Sequence, residues 1–265
     1  MIAINILIVI VVLYIMACGV MYFFQEKFIF LPQRTEKGFT YQFDQPFEEK
    51  YITTNDGIIL HGVLFKAKDS KGLIFYLHGK AGSLNSWGQV AKTYTDLQYD
   101  TFILDYRGYG KSEGKINGQS EFFNDIQTVY NELKKQYSEN KIIVLGYSIG
   151  TGLASKLAST NKPGLLILQA PYYSMKDMIL HKYTIIPSFI IKYKFETNKY
   201  LKDCKMPVII FHGNQDDIIY YGSSLKLKEE YKKTVTLITL NGQGHFAITD
   251  NEDYKKEIQK ILEVE

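Results

Sequence analysis

The pentapeptide Gly146-Tyr147-Ser148-Ile149-Gly150 places a hydroxyl between two glycines at the spacing that turns a serine into a nucleophile. A serine hydroxyl barely ionises at neutral pH, so it attacks a carbonyl only when exposed at a tight turn with a base beside it. The flanking glycines let the chain on either side approach closely and let Ser148 take the strained backbone conformation that presents its oxygen. Three other groups of residues able to do chemistry stand further along the chain: His78-Gly79-Lys80-Ala81-Gly82-Ser83, His212-Gly213-Asn214-Gln215-Asp216 and Gly244-His245-Phe246. They contain the carboxylate and imidazole types that a serine nucleophile requires.

Each group follows an apolar run that reads as a strand. Ile142 to Leu145 precedes the serine and Thr151 to Ser159 reads as a helix behind it, which gives strand, sharp turn, helix. Leu73 to Leu77 precedes His78, Val208 to Phe211 precedes His212, and Thr234 to Leu240 precedes Gly244. Thr101 to Leu104 and Leu165 to Leu168 supply further strands. Helices are predicted at Ser83 to Leu97, Glu121 to Gln136, Ser223 to Tyr231 and Asp253 to Leu262. Upstream, Glu49 to Thr54 and Ile58 to Lys66 flank Asn55-Asp56-Gly57, the composition of a tight hairpin. Uninterrupted apolar strands alternating with helices imply a mostly parallel sheet covered on both faces, and ligands in such sheets bind beyond the carboxyl ends of the strands. All four groups lie at such ends.

With these pieces in this order, the chain resembles the α/β-hydrolase superfamily over roughly residues 48 to 262. It is most similar to membrane-anchored serine hydrolases with an HGxAG loop, a DYRGYGxSxG segment (Asp105 to Gly114) and a GYSxG elbow, a branch that includes acyl-protein thioesterases and esterases. The resemblance implies an α/β-hydrolase fold with a mostly parallel central sheet and helices on both faces. It also implies the chain order Ser148, Asp216, His245 for nucleophile, acid and base. Ser148 then attacks an acyl carbonyl, His245 takes its proton and returns it to the leaving group, and Asp216 holds the imidazole tautomer. The HGxxD pattern lands on Asp216, with Asp217 as the alternative by register. Main-chain N–H groups of Ile149 and Lys80 are expected to form the oxyanion hole, with Ala81 the alternative to Lys80.

Of the five histidines, His61 falls in the hairpin, His181 in an apolar segment, and His78 and His212 in HG turns to which the resemblance assigns support of the loop backbone. His245 follows the last strand, where it can face Ser148. Asp105 and Arg107 lie on a turn with three glycines; charged residues there could bind substrate, but the resemblance implies that they are loop-fixing pairs.

Composition narrows the partners. The net charge of +3 comes from interleaved lysines and acids, with no polybasic block to follow a phosphate backbone, so nucleic acid is not expected. Cys18 and Cys204 make neither a disulfide framework nor a metal spacing, and no dinucleotide or phosphate-loop fingerprint appears, so neither cofactor nor metal is expected. Residues Ile2 to Phe24 carry no charge, and at ~1.5 Å per residue such a helix reaches about 34 Å, enough to cross a bilayer core. A cleaved signal peptide and a lipoprotein-type cleavage box at Ile15-Met16-Ala17-Cys18 are the alternatives. Lys27, Arg34 and Lys37 follow the span, which by the positive-inside bias puts the globular part on the cytoplasmic side.

The expected organisation is a transmembrane anchor over 1–24, a juxtamembrane linker over 25–47 and an α/β-hydrolase domain over 48–265. Tyr172 to Lys202 is too long for a simple connection and is rich in apolar residues around Pro187. It is expected to form a short helical cap, apolar beneath and carrying Lys176, Lys182, Lys192 and Lys194 outside. Packing on the core and contact with a lipid surface are the other readings of this segment. Together these features suggest a single-pass membrane serine hydrolase that cleaves esters or thioesters through an acyl-enzyme. Its substrates would carry an apolar acyl group, on a small lipid-like molecule or a lipidated protein. An amide-cleaving peptidase of the same fold and a non-catalytic membrane-tethered binding protein are the alternatives.

Overall fold

The structure is a computed structural model that describes residues 1–264. Its centre is an eight-stranded sheet of β1 (Phe47–Thr53), β2 (Ile59–Phe65), β3 (Gly72–Leu77), β4 (Tyr99–Asp105), β5 (Ile142–Tyr147), β6 (Leu165–Gln169), β7 (Val208–Gly213) and β8 (Val235–Leu240), in the spatial order β8-β7-β6-β5-β3-β4-β2-β1. From β4 through β8 every neighbouring pair is parallel, while β2 runs antiparallel to both β1 and β4. Gly57, at a φ of 82°, closes the β1–β2 hairpin in a conformation that favours glycine.

The two faces of the sheet build two cores because successive side chains of a strand point to opposite sides. Leu73, Phe75, Val144, Leu166, Leu168 and Val208 pack on one face with α5 (Gln119–Leu133), α6 (Gly150–Thr160) and Leu227 of α9 (Gly222–Glu230). Ile74, Tyr76, Ile143, Leu145, Ile167 and Phe211 pack on the other with α3 (Leu84–Trp87), α4 (Ala91–Thr95) and α10 (Glu252–Val264). The single helix expected from Ser83 to Leu97 is therefore broken, with a 3-10 turn at Gly88–Val90 between α3 and α4. Gly88 in that turn packs directly against Phe43, whose ring stands 2.2 Å from where a Cβ would fall.

Before the sheet, α1 (Ile2–Phe23) is a charge-free helix of 22 residues with none of them buried. It is the one helix among the described residues long and apolar enough to cross a membrane. The stretch 25–47 that follows begins with α2 (Gln25–Ile29) and is fastened along its length. Gln25, Phe30 and Tyr41 are buried, Leu31–Pro32 pairs in parallel with Ala81–Gly82, and Arg34 donates to the Gly114 carbonyl at 2.7 Å.

The insertion between β6 and β7 holds α7 (Met175–Lys182), a 3-10 turn at Ser188–Ile190 and α8 (Thr197–Leu201). Its four expected outward lysines are exposed. The apolar underside is divided: Met175, Ile191, Tyr193 and Phe195 join the core beside α5 and α6, while Tyr183, Ile185 and Phe189 face outward.

Candidate active site

Ser148 stands on the turn between β5 and α6 with a φ of 53°, a left-handed conformation that costs a non-glycine residue roughly 1–3 kcal/mol and persists only where the surroundings enforce it. They do so here. A Cβ on Gly146 would meet the Gly150 carbonyl at 2.5 Å, and one on Gly150 would meet the Leu77 carbonyl at 2.0 Å. The Ser148 amide is held by the Gln169 carbonyl at 2.9 Å. The hydroxyl is thus raised beyond the carboxyl ends of the central strands, and the His78 loop is drawn against the same turn.

His245 follows β8 and faces the serine, with Nε2 3.1 Å from Ser148 Oγ and Nδ1 2.7 Å from Asp216 Oδ2. Asp216 Oδ1 accepts from the amides of Ile218 and Ile219 at 2.9 and 2.7 Å, and Oδ2 also lies 3.2 Å from His212 Nε2. Burial alone would raise the Asp216 pKa. The hydrogen bonds from His212 and His245, the charge of His245 and the Ile219 amide outweigh burial and hold the carboxyl well below the usual range. An ionised Asp216 can only accept, so Nδ1 of His245 carries the proton and Nε2 is left free to accept from Ser148. This arrangement can carry a proton away from Oγ as it attacks and stabilise the imidazolium that results. Asp217 is exposed and has no contact with His245, so the structure brings Asp216 and not its neighbour to the imidazole.

The amides of Ile149 and Lys80 donate to no acceptor among the described residues. Ile149 precedes α6, so its N–H lies at the positive end of that helix. Gly79 packs against the Tyr147 ring, at 3.1 Å from a built Cβ, which sets the Lys80 loop beside the elbow. The Lys80 carbonyl accepts from the Leu31 amide at 2.9 Å and from the Tyr109 hydroxyl at 2.6 Å, so the Lys80–Ala81 peptide, next to the one that carries the Lys80 N–H, is tied from two directions. The Lys80 side chain is exposed.

The other histidines have structural surroundings. His78 is fully buried between Trp87 and Tyr106, burial pushes its pKa down to about 4, and Nδ1 lies 2.7 Å from the Gly79 carbonyl. His61 lies between Asp105 and Glu49 at 3.2 and 2.9 Å. His181 stacks on Tyr220 at 4.0 Å. Arg107 spends its guanidinium on Asp125, Asp56 and Glu121. Asp105 pairs with His61 and accepts from the Leu84 amide at 2.8 Å, so each residue fixes its own loop and they do not pair with one another.

Three supports escaped the sequence reading. Tyr147, inside the pentapeptide, donates its hydroxyl to the His245 carbonyl at 2.6 Å and so positions the imidazole loop. His212 contacts Asp216 directly as well as supporting its turn. The stem after α1 reaches the Lys80 loop. Only Tyr147 had a local signal, its place next to the nucleophile.

Comparison with known proteins gives a consistent picture. The family model described as serine aminopeptidase, S33, matches residues 68–195. Protein bem46 of Schizosaccharomyces pombe is 27% identical over 261 residues, covering 88% of this chain and 87% of that protein. The lysophosphatidylserine lipase ABHD12 of Macaca fascicularis is 26% identical over 179 residues, 60% of this chain but only 45% of the lipase. Among solved structures, the Pyrococcus furiosus esterase Pf2001 superposes with a TM-score of 0.71 at 20% identity, covering 89% of this chain and 97% of the esterase. Est1E of Butyrivibrio proteoclasticus with bound ferulic acid gives 0.64 at 20% identity, covering 81% and 96%.

Proposed function

We propose that this chain, which has the α/β-hydrolase fold, is a serine hydrolase that cleaves esters or thioesters of apolar acyl groups through an acyl-enzyme. The observation that carries the reading is the relay from Asp216 through His245 to Ser148, with the serine held at positive φ. Ser148 attacks the acyl carbonyl as His245 Nε2 takes its proton. The oxyanion is received by the amides of Ile149 and Lys80, and His245 protonates the leaving alkoxide or thiolate. Water then repeats the sequence and releases the acid. The apolar helix α1 tethers this chemistry to a membrane, with the catalytic part on the side to which Lys27, Arg34 and Lys37 point by the positive-inside bias. A lipid-like molecule or a lipidated protein is the substrate class that such tethering favours.

One observation favours a second reading: the matching family model is described as an aminopeptidase, and the same relay serves amide cleavage with only the leaving-group contacts changed. Rates on matched esters, thioesters and amides of increasing acyl length separate the two. The proposal expects ester and thioester turnover that rises with chain length. Turnover of an aminoacyl amide above the matched ester would replace it with the peptidase reading.

A further inference from the structure

Helix α1 and the insertion are joined far below the end of the helix. Tyr14 donates its hydroxyl to the Ile185 carbonyl at 2.7 Å. Nearer the sheet, buried Gln25 donates to the Ile190 carbonyl and accepts from the amides of Lys192 and Tyr193. Lys192 there reaches Glu26 at 2.8 Å and lies over the Tyr22 ring. The charged contacts thus gather at the end of α1, and the Tyr14 contact sits about 13 Å further along its axis at ~1.5 Å per residue.

That distance fixes where the insertion lies. A bilayer core of about 30 Å takes about 20 residues of helix, which is nearly all of α1. The part from Ile2 to Leu13 rises only about 18 Å and cannot cross alone. Any placement in which α1 spans therefore puts Tyr14 within the hydrocarbon, and the backbone at Ile185 with it.

The side chains of the segment suit that position. Tyr183, Ile185 and Phe189 turn outward, the last two 75% and 85% exposed. Backbone in hydrocarbon must satisfy its own polar groups. Part of the segment meets that demand: the amides of Tyr183, Ile186, Ile190 and Ile191 donate within the insertion, Pro187 has no amide hydrogen, and the carbonyls of Ile185 and Ile190 are taken by α1 and its stem, while the amides of Thr184, Ile185, Ser188 and Phe189 donate to no acceptor among the described residues. Lys182 and Lys192, at the two ends, have stems long enough to carry their charges to headgroups. Between α1 and the segment runs a groove of about 370 Å³ lined by Tyr14, Cys18, Gly19, Tyr22, Phe189 and Ile190.

From this geometry we infer that residues 183–190 are embedded in the membrane leaflet beside α1, with lipid tails filling the groove. The inference rests on α1 being a membrane span and not on the catalytic assignment. α7, which leads into this segment, stacks its His181 on Tyr220 in the turn after Asp216, so the embedded segment adjoins the loop that carries Asp216.

Tryptophan quenching in vesicles tests it. The full chain, whose one native tryptophan is Trp87, is reconstituted in phosphatidylcholine with or without bromine in the acyl tails, and the wild-type emission is subtracted. Phe189→Trp and, independently, Ile185→Trp replace exposed side chains. Both are expected to be quenched to the level of Val12→Trp in α1, while Tyr51→Trp on the outer strand is not. Quenching at 185 and 189 no greater than at 51, with Val12→Trp quenched, overturns the inference and leaves the span intact. No quenching at 12 refutes the span and the inference together, while leaving the hydrolase reading untouched.

Discussion

Replacing Asp216 by asparagine should abolish most activity while leaving the shape of the site in place. Oδ1 of Asp216 receives two amides, from Ile218 and Ile219, so the amide oxygen of an asparagine must occupy that position. Its NH2 group then takes the place of Oδ2, 2.7 Å from His245 Nδ1. Facing a donor, Nδ1 has to accept, and the ring proton moves to Nε2, where it points at Ser148 Oγ. The base has become a donor without any atom moving far. In the serine-protease version of this relay the same change costs about 10⁴ in kcat. At about 1.36 kcal/mol per decade that is roughly 5.5 kcal/mol of transition-state stabilisation. We expect a fall of the same order here with KM little changed, measured by hydrolysis of a p-nitrophenyl ester and accompanied by thermal unfolding of both proteins. A folded D216N variant with kcat within about 10-fold of wild type would refute the tautomer argument. The substitution also has a signature in stability. Because the folded pKa of Asp216 is depressed, its contribution is present above the ordinary value of 3.8 and is lost as pH falls through the folded value. Wild type should therefore lose stability relative to D216N as the pH drops below about 4.

The elbow, the turn behind β4 and the stem give separate tests. Gly150→Ala puts a methyl 2.0 Å from the Leu77 carbonyl and 2.8 Å from that of His78, both main-chain atoms, and should cost about 1–3 kcal/mol or more in thermal unfolding together with activity; an unchanged Tm contradicts the packing. Arg107→Met strips the cation from Asp125, which is 3% exposed, and should lower stability by about 3–5 kcal/mol with KM of the folded enzyme unaltered. A raised KM at unchanged Tm would instead make Arg107 a substrate contact. Leu31→Pro removes the amide that holds the Lys80 carbonyl and should lower kcat by up to about 100-fold, whereas Leu31→Ala keeps that amide and stays near wild type. Equal effects of the two would show that the stem acts through its side chain.

What could be read from the sequence was what local chemistry decides. The apolar run Ile142–Leu145 ending in Gly-Tyr-Ser is fully buried as a central strand, and its elbow, acid and base meet because each stands at the end of a parallel strand. The breaks came where a distant side chain intervenes. Nothing near Gly88 announces that the Phe43 ring will occupy its Cβ position. The insertion reads as a helical cap because it is too long for a simple connection and rich in apolar residues. Its later half holds the opposite evidence: Ile191, Tyr193 and Phe195 are buried while Lys192 and Lys194 are exposed, the alternation of an extended chain. Residues 25–47 show no periodicity and read as a linker. Their role lies in single main-chain bonds such as Leu31 to Lys80, which leave no mark on side-chain pattern.

The most direct test of the account is covalent labelling of the purified full chain by a fluorophosphonate, which reacts with a serine only when a base and an oxyanion site activate it. The account predicts stoichiometric labelling of wild type at Ser148, none of Ser148→Ala, and strongly slowed labelling of His245→Ala. Folded wild type that is not labelled, or labelling that survives in Ser148→Ala, would contradict it.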